Sequence, residues 1–269
     1  MTHLAAEPLA PLPRARAPLP APLPALLPAP LPALSRPATV ERIERTLALL
    51  RAHLRPTLRV LEAGEPVYRV GDPLDCLHIV HAGCFKTVNL ASDGREQMVG
   101  LHFKGDWLGF DAIAPGRHGC DAVAMERAEV WSLPYAALLR ACASAPGLLS
   151  MLHVAMSREM NRDRDSMLSL CTLPADARVA EFLRGWAEAL AERGLRTDCI
   201  TLRMSRAEIG NYLGMTLETV SRALSRLARE QVIEFNEPGR REIAIPDVGA
   251  LAGFVQRCLA KPAPASALH

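Results

Sequence analysis

The sequence predicts an α+β chain: a β-roll, then a long helix, then three helices closed by a β-hairpin. Three observations predict it. Between about residues 57 and 135, short β-type runs recur between Gly64, Gly71, Gly83, Gly94, Gly100, Gly105 and Gly109, the texture of an all-β roll or barrel. From about 136 to 171, apolar residues return at helical spacing. From 174 to 245, three helical segments precede two short β-runs around a turn.

Residues 1–38 form a Pro-rich arm, typified by Pro18-Leu19-Pro20-Ala21-Pro22-Leu23-Pro24. Proline removes backbone donors and favours extended geometry, so the arm is expected to be disordered or semi-rigid. A helix is expected over about 39–53, with Thr39 as N-cap and Ile43, Leu47 and Leu50 on one face. It opens a first domain over 39–135. Within it, Leu77–His81 and Phe85–Leu90 flank Ala82-Gly83-Cys84 as strand, turn, strand.

The segment 136–172 is expected to be a dimerisation helix. Leu149, Met156, Met160, Asp163, Met167 and Leu170 fall at steps of seven, four, three, four and three, a coiled-coil-like seam. A helix lying on its own β domain is the alternative. Its length and its other, charged face (Arg158, Glu159, Arg162, Arg164, Asp165) favour a homodimer seam. Asp163 would then meet its symmetry mate. Like charges repel, so Asp163 is expected to tune how readily the dimer forms.

Residues 173–248 read as a smaller unit. Helices are expected over 174–193, 206–213 and 217–230. Strands Val232–Phe235 and Glu242–Ile245 follow, joined by the turn Glu237-Pro238-Gly239-Arg240. This is the pattern of a winged helix-turn-helix. Residues 249–269 are a C-terminal helix and tail. Ser205 and Glu208 make a capping box. Gly214 stands where a sharp turn needs positive φ, and Thr216 caps the next helix. Ile209, Leu213, Val220, Leu224 and Leu227 supply the apolar faces. The outward face of the second helix offers Glu218, Ser221, Arg222, Ser225, Arg226 and Arg229. Arginine grips guanine O6 and N7, glutamate accepts from cytosine N4, and serine serves several edges. The expected DNA contacts are Glu218, Ser221, Arg222, Ser225 and Arg226, with Thr216 and Ser205; Arg226 or Arg229 is expected on phosphate.

Bulk charge does not advertise this. The chain of 269 residues has a formal net charge of only +2, so the footprint must come from local arginine placement. No apolar run is long enough to span a bilayer, and the proline-broken start lacks a signal h-region; the chain is read as cytoplasmic, without membrane. The seven cysteines are odd in number and include no C-x-x-C pair. Neither a disulfide framework nor a metal site is suggested. An enzyme using Cys120 beside His118 is disfavoured, because no orienting third residue or oxyanion loop accompanies them. A nucleotide-binding module without DNA function is the other rival.

Over about 40–255 the sequence resembles the CRP/FNR family of bacterial regulators, named after the cyclic-AMP receptor protein and the fumarate–nitrate reduction regulator. The resemblance rests on Glu218-Thr219-Val220-Ser221-Arg222 in the recognition position, and on Phe103–Ile113, which is similar to the FNR branch. Tyr68–Asp72 and His81-Ala82-Gly83 also fit. It implies a cyclic-nucleotide-binding-like β-roll sensor domain, a long dimerisation helix and a C-terminal winged helix-turn-helix. It further implies a homodimer on a palindromic FNR-type site in double-stranded DNA. Glu218, Ser221 and Arg222 would read bases, with half-sites about 34 Å apart. Ser92, Asp93, Gly94 and Arg95 match the loop that contacts RNA polymerase.

The departures bear on control. The family's iron–sulfur members use three N-terminal cysteines and one in the roll. Here the first 75 residues hold no cysteine and the roll position matches Trp131, so such a cluster is not expected. The cyclic-AMP members use Gly-Glu and Arg-Ser or Arg-Thr pairs. Here Gly109 precedes Phe110 and Asp111, and the later segment is Arg117-His118-Gly119-Cys120, so cyclic AMP is not expected either. Three modes of control stay open. The first, favoured, is ligand independence. The second is a thiol switch at Cys120 or Cys171. The third is haem or another small molecule in the roll, with His78, His81, His102 or His118 as axial ligand. A gated member would use a different operator.

Overall fold

The computed structural model describes residues 36–90, 94–236 and 242–260, and the side chains from Val40 onward. Residues 1–35, 91–93, 237–241 and 261–269 lie outside them, so the expected Pro-rich arm, the expected turn Glu237-Pro238-Gly239-Arg240, and Ser92 and Asp93 fall outside the described residues.

Helix α1 spans Arg36–His53. It starts earlier than the sequence suggests, because Pro37 suits the first turn, where its missing N–H has no partner to lose. Thr39 is therefore inside the helix and is not its N-cap. Ile43, Leu47 and Leu50 are buried, as their spacing predicts.

The roll is two four-stranded antiparallel sheets. One has the order β1 (Thr57–Leu61), β8 (Ala128–Pro134), β3 (Cys76–Ala82) and β6 (Trp107–Leu108). The other has the order β2 (Pro66–Tyr68), β7 (Asp121–Ala124), β4 (Cys84–Leu90) and β5 (Glu96–Phe103). The strands flanking Gly83 do not pair with each other. The chain crosses from one sheet to the other there, and Val80, Phe85, Leu108 and Val130 pack between the sheets.

The segment expected as one helix is two, α2 (Tyr135–Ser144) and α3 (Pro146–Thr172). Pro146 disfavours helical geometry at the residue before it, and Ala145 is extended (φ −131°, ψ 88°). Leu148 and Leu152 of α3 join Leu138 and Cys142 of α2 in the core beneath α1.

The last unit contains α4 (Ala175–Glu192), β9 (Cys199–Thr201), α5 (Arg206–Leu213), α6 (Leu217–Arg229), β10 (Glu234–Phe235), β11 (Glu242–Ala244) and α7 (Val248–Ala260). The hairpin strands are joined by a third, β9, in the order β10-β11-β9. Trp186, Ile209, Val220, Leu224, Leu227, Ile243 and Phe254 share one core. No helix of the described residues is long and apolar enough to cross a membrane.

Candidate nucleic-acid interface

Two short helices at the turn are built by local chemistry. Ser205 Oγ accepts from Glu208 N–H at 3.2 Å, and Glu208 Oε2 accepts from Ser205 N–H at 2.9 Å. The expected capping box is thus formed. Gly214 ends α5 in the left-handed region (φ 62°), which glycine adopts without a Cβ penalty. Gly210 has a different reason to be glycine: a Cβ there would lie 2.6 Å from Met215 O. Thr216 Oγ1 accepts from Thr219 N–H at 3.3 Å, capping α6.

Helix α6 is two-sided. Val220, Ala223, Leu224 and Leu227 are buried, while Glu218, Arg222, Ser225 and Arg229 are exposed. Ser221 is half-buried, and Ser225 Oγ donates to its carbonyl at 2.8 Å. Glu218 is held below the usual carboxylate range, first by its own backbone N–H and then by Thr216; it is an ionised acceptor at neutral pH. Arg222 donates to Thr219 Oγ1 at 3.3 Å. The site residues divide here. Arg226 is half-buried, ion-paired to Asp176 and to Glu230, and lies 5.5 Å from the Phe254 ring centroid. It pins α6 to α4 and α7. Arg229 is exposed.

The arrangement is a helix-turn-helix whose second helix presents donors and an acceptor outward. A cyclic nucleotide-binding domain matches residues 58–145, and a Crp-like helix-turn-helix domain matches residues 177–254. The transcriptional regulatory protein Btr of Bordetella pertussis is 36% identical over 193 residues, 72% of this chain and 80% of Btr. The chain belongs to the CRP/FNR family. The fumarate and nitrate reduction regulatory protein of Escherichia coli is 34% identical over 173 residues, 64% of this chain and 69% of that one. The structure of FixK2 from Bradyrhizobium japonicum aligns with a TM-score of 0.68 at 30% identity, over 78% of this chain and all of FixK2. This CRP/FNR member is a DNA-binding transcription regulator.

The regulator's DNA-binding unit is clamped to its roll by contacts that sequence reasoning missed. Asn211 of α5 bridges the open edge of β5: its Oδ1 accepts from Met98 N–H and its Nδ2 donates to Glu96 O, both at 2.6 Å. Lys86 Nζ lies 2.6 Å from Glu208 Oε1, and Arg203 Nε lies 3.0 Å from Glu126 Oε2. Asp106 is a buried hub between Arg162 of α3 (2.6 Å) and Arg193 after α4 (2.9 Å). Burial opposes its charge, but the two guanidiniums overcome that and hold it below the usual carboxylate range.

The seam residues share one side of α3. Leu149, Met160, Asp163, Met167 and Leu170 are exposed, and Met156 is half-buried. Burial, the leading cause, raises the Asp163 carboxyl. At the β4–β5 turn, Gly94 and Arg95 are exposed.

The roll's candidate ligands are only partly engaged: Nδ1 of His81, His102 and His118 is buried without a hydrogen-bond partner among the described residues. His78 Nδ1 is 3.0 Å from Ser132 Oγ, and His102 Nε2 is 3.2 Å from Thr87 Oγ1. His118 stacks on Tyr68 at 3.6 Å, and His81 stacks on Trp131 at 5.0 Å. Burial pushes the His78 imidazole down to about 3 and the His102 imidazole down to about 4. Asp111 Oδ2 accepts from Gly119 N–H at 2.7 Å, and Arg117 donates to Gly71 O at 2.8 Å. The Cys120 thiol is pushed up to about 12, by burial first and by Asp111 next. Cys171, near the end of α3, is exposed.

Proposed function

We propose that this regulator binds a palindromic FNR-type DNA site as a homodimer. Helix α6 enters the major groove, where Glu218, Ser221 and Arg222 read base edges with Ser225 beside them. Arg229 takes phosphate. Ser205 and Thr216 hold the two helices in shape, and Arg226 anchors the recognition helix from behind. The observation that carries this is the two-sidedness of α6, in which Val220, Ala223, Leu224 and Leu227 are buried while Glu218, Arg222, Ser225 and Arg229 are exposed. Pairing along Leu149, Met156, Met160, Asp163, Met167 and Leu170 sets two such helices about 34 Å apart. Ser92, Asp93, Gly94 and Arg95 meet RNA polymerase.

Control without cyclic AMP, an iron–sulfur cluster or haem belongs to the same proposal. The Asp111 carboxylate takes the Gly119 N–H that a phosphate would need, and Arg117 is turned to Gly71 O. The cyclic-nucleotide residues therefore do not fit. Trp131 stands where a cluster cysteine would be, with Arg51 4.4 Å from its ring centroid. Of the roll histidines, His78 and His102 each share a hydrogen bond with a hydroxyl, Ser132 and Thr87. Of the gated alternatives, a thiol switch has Cys171 available and a protonated Cys120 that resists oxidation.

The test joins sedimentation with operator binding. The expected result is a dimer whose Met160→Asp variant is monomeric. Arg222→Ala should cost about 1–3 kcal/mol of specific binding and relax one base-pair position. A monomeric wild type, or an Arg222→Ala variant with unchanged selectivity, contradicts the proposal.

A further inference from the structure

A second concavity lies apart from the recognition helix and the roll interior. We propose that it binds a small amphipathic anion, a molecule with an apolar body and a single acidic head. The cavity, about 380 Å³, opens between α1, α3 and the end of α4, over the turn Gly105-Asp106-Trp107. That volume falls within the range of small-molecule sites, which are mostly apolar with a few fixed polar groups.

Its wall has both parts. Ile43 and Leu49 of α1, Trp107, and Met151 and Val154 of α3 supply the apolar surface. Five arginines stand against three carboxylates. Asp106 is fully used by Arg162 and Arg193. Glu192 is 3.8 Å from Arg158, a loose pair, and Arg45 turns to Glu41 at 3.3 Å. Arg42 is half-buried and makes no hydrogen bond or ion pair with any described residue. Burial first, and the neighbouring Arg158 next, make its guanidinium harder to keep charged. An anion beside Arg42 and Arg158 offsets their mutual repulsion and gives the half-buried Arg42 a counter-charge. The remaining wall carboxyl, Glu159, is pushed up to about 7 by burial, so it repels an anion less than an ordinary carboxylate would.

The proposed dimer leaves this site open. At roughly 100° per residue, Met151 and Arg158 point nearly opposite to Leu149 and Met167 on α3. The site does not depend on the DNA reading, and its test does not use DNA.

The experiment titrates octanoate, decanoate and 1-naphthoate into the full-length protein. Binding is followed by calorimetry and by tryptophan emission, since Trp107 lines the wall; decanamide is the uncharged control. The expected result is saturable binding of at least one carboxylate, one per chain, at least tenfold tighter than decanamide. Arg42→Gln removes one charge-assisted contact and should weaken binding about ten- to a hundredfold. Val154→Trp, which fills the cavity, should abolish it, with circular dichroism unchanged in both variants. Absence of saturable binding by all three carboxylates overturns the proposal. So does equal affinity for decanamide, or affinity unchanged in Arg42→Gln.

Discussion

In the β-roll, His78, His102, His118 and Asp106 are buried beside partners from their own chain, while on α6 Glu218, Arg222, Ser225 and Arg229 stand exposed. The two regions spend polar groups in opposite ways. A buried polar group costs free energy unless its hydrogen bond is made inside the molecule. These bonds run from His78 to Ser132, from His102 to Thr87 and from Asp106 to Arg162 and Arg193, while Nδ1 of His102 and of His118 stays without a partner among the described residues. The recognition helix keeps its apolar face for packing and its polar face for a partner. The difference teaches where partner chemistry is still to be supplied: at α6 far more than inside the roll.

The sharpest way to break this contrast is Asp106→Asn. It leaves Arg193, whose side chain is 5% exposed, without its ion pair. Removing one member of a buried pair costs about 3–5 kcal/mol. The low end is expected, because Arg193 also donates to Lys104 O and Ala189 O. A urea midpoint that falls with unchanged slope confirms it; a loss below about 1 kcal/mol means the hub is not buried in solution.

The next effect is on pH. His78 and His102 have folded values near 3 and 4, below the ordinary 6.5. Their stabilisation is present above pH 6.5 and is lost as pH falls through the window toward those values. Glu159 acts oppositely: its value is raised from 4.5 to about 7, so its contribution is lost as pH rises through that range. Two protons against one leave a net loss that is small near pH 6.5, where free histidine is only half protonated, and grows to about 1.4 kcal/mol per pH unit near pH 5. His102→Gln should nearly flatten that slope in chemical denaturation; an unchanged slope places the proton elsewhere.

On the outward side, Arg226→Ala and Arg229→Ala should part company. Loss of Arg226 should destabilise by about 1 kcal/mol, discounted for its partial exposure. Loss of Arg229 should leave stability alone and lower the salt slope of DNA binding by about one unit. Equal behaviour in melting and salt titrations would erase the distinction. Smaller still, Asn211→Ala should cost about 1 kcal/mol or less, and should speed amide exchange at Met98 while leaving β3 unaffected.

How far the sequence could be read depended on distance along the chain. The capping box of Ser205 and Glu208, the turn at Gly214 and the cap at Thr216 each close within a few residues, so local chemistry declares them. Pro146, also a local signal, splits the segment expected as one helix, and the seam from Leu149 onward lies wholly after it. The clamp had no such declaration. Asn211 meets Met98 across 113 residues, and nothing local marks an asparagine that covers a strand edge. Helical counting placed Arg226 on the outward face, yet Asp176, 50 residues away, draws it inward. The strand β9 is three residues long and pairs with Glu242–Ala244, far beyond any local alternation.

The most direct measurement is fluorescence anisotropy of the aerobically purified protein, with no added ligand, on an FNR-type palindrome and a scrambled duplex at one salt concentration. The predicted result is selective binding that Arg222→Ala reduces about ten- to a hundredfold while circular dichroism is unchanged. Equal affinity for both duplexes, or selectivity that emerges only when haem, cyclic AMP or a reductant is supplied, would contradict it.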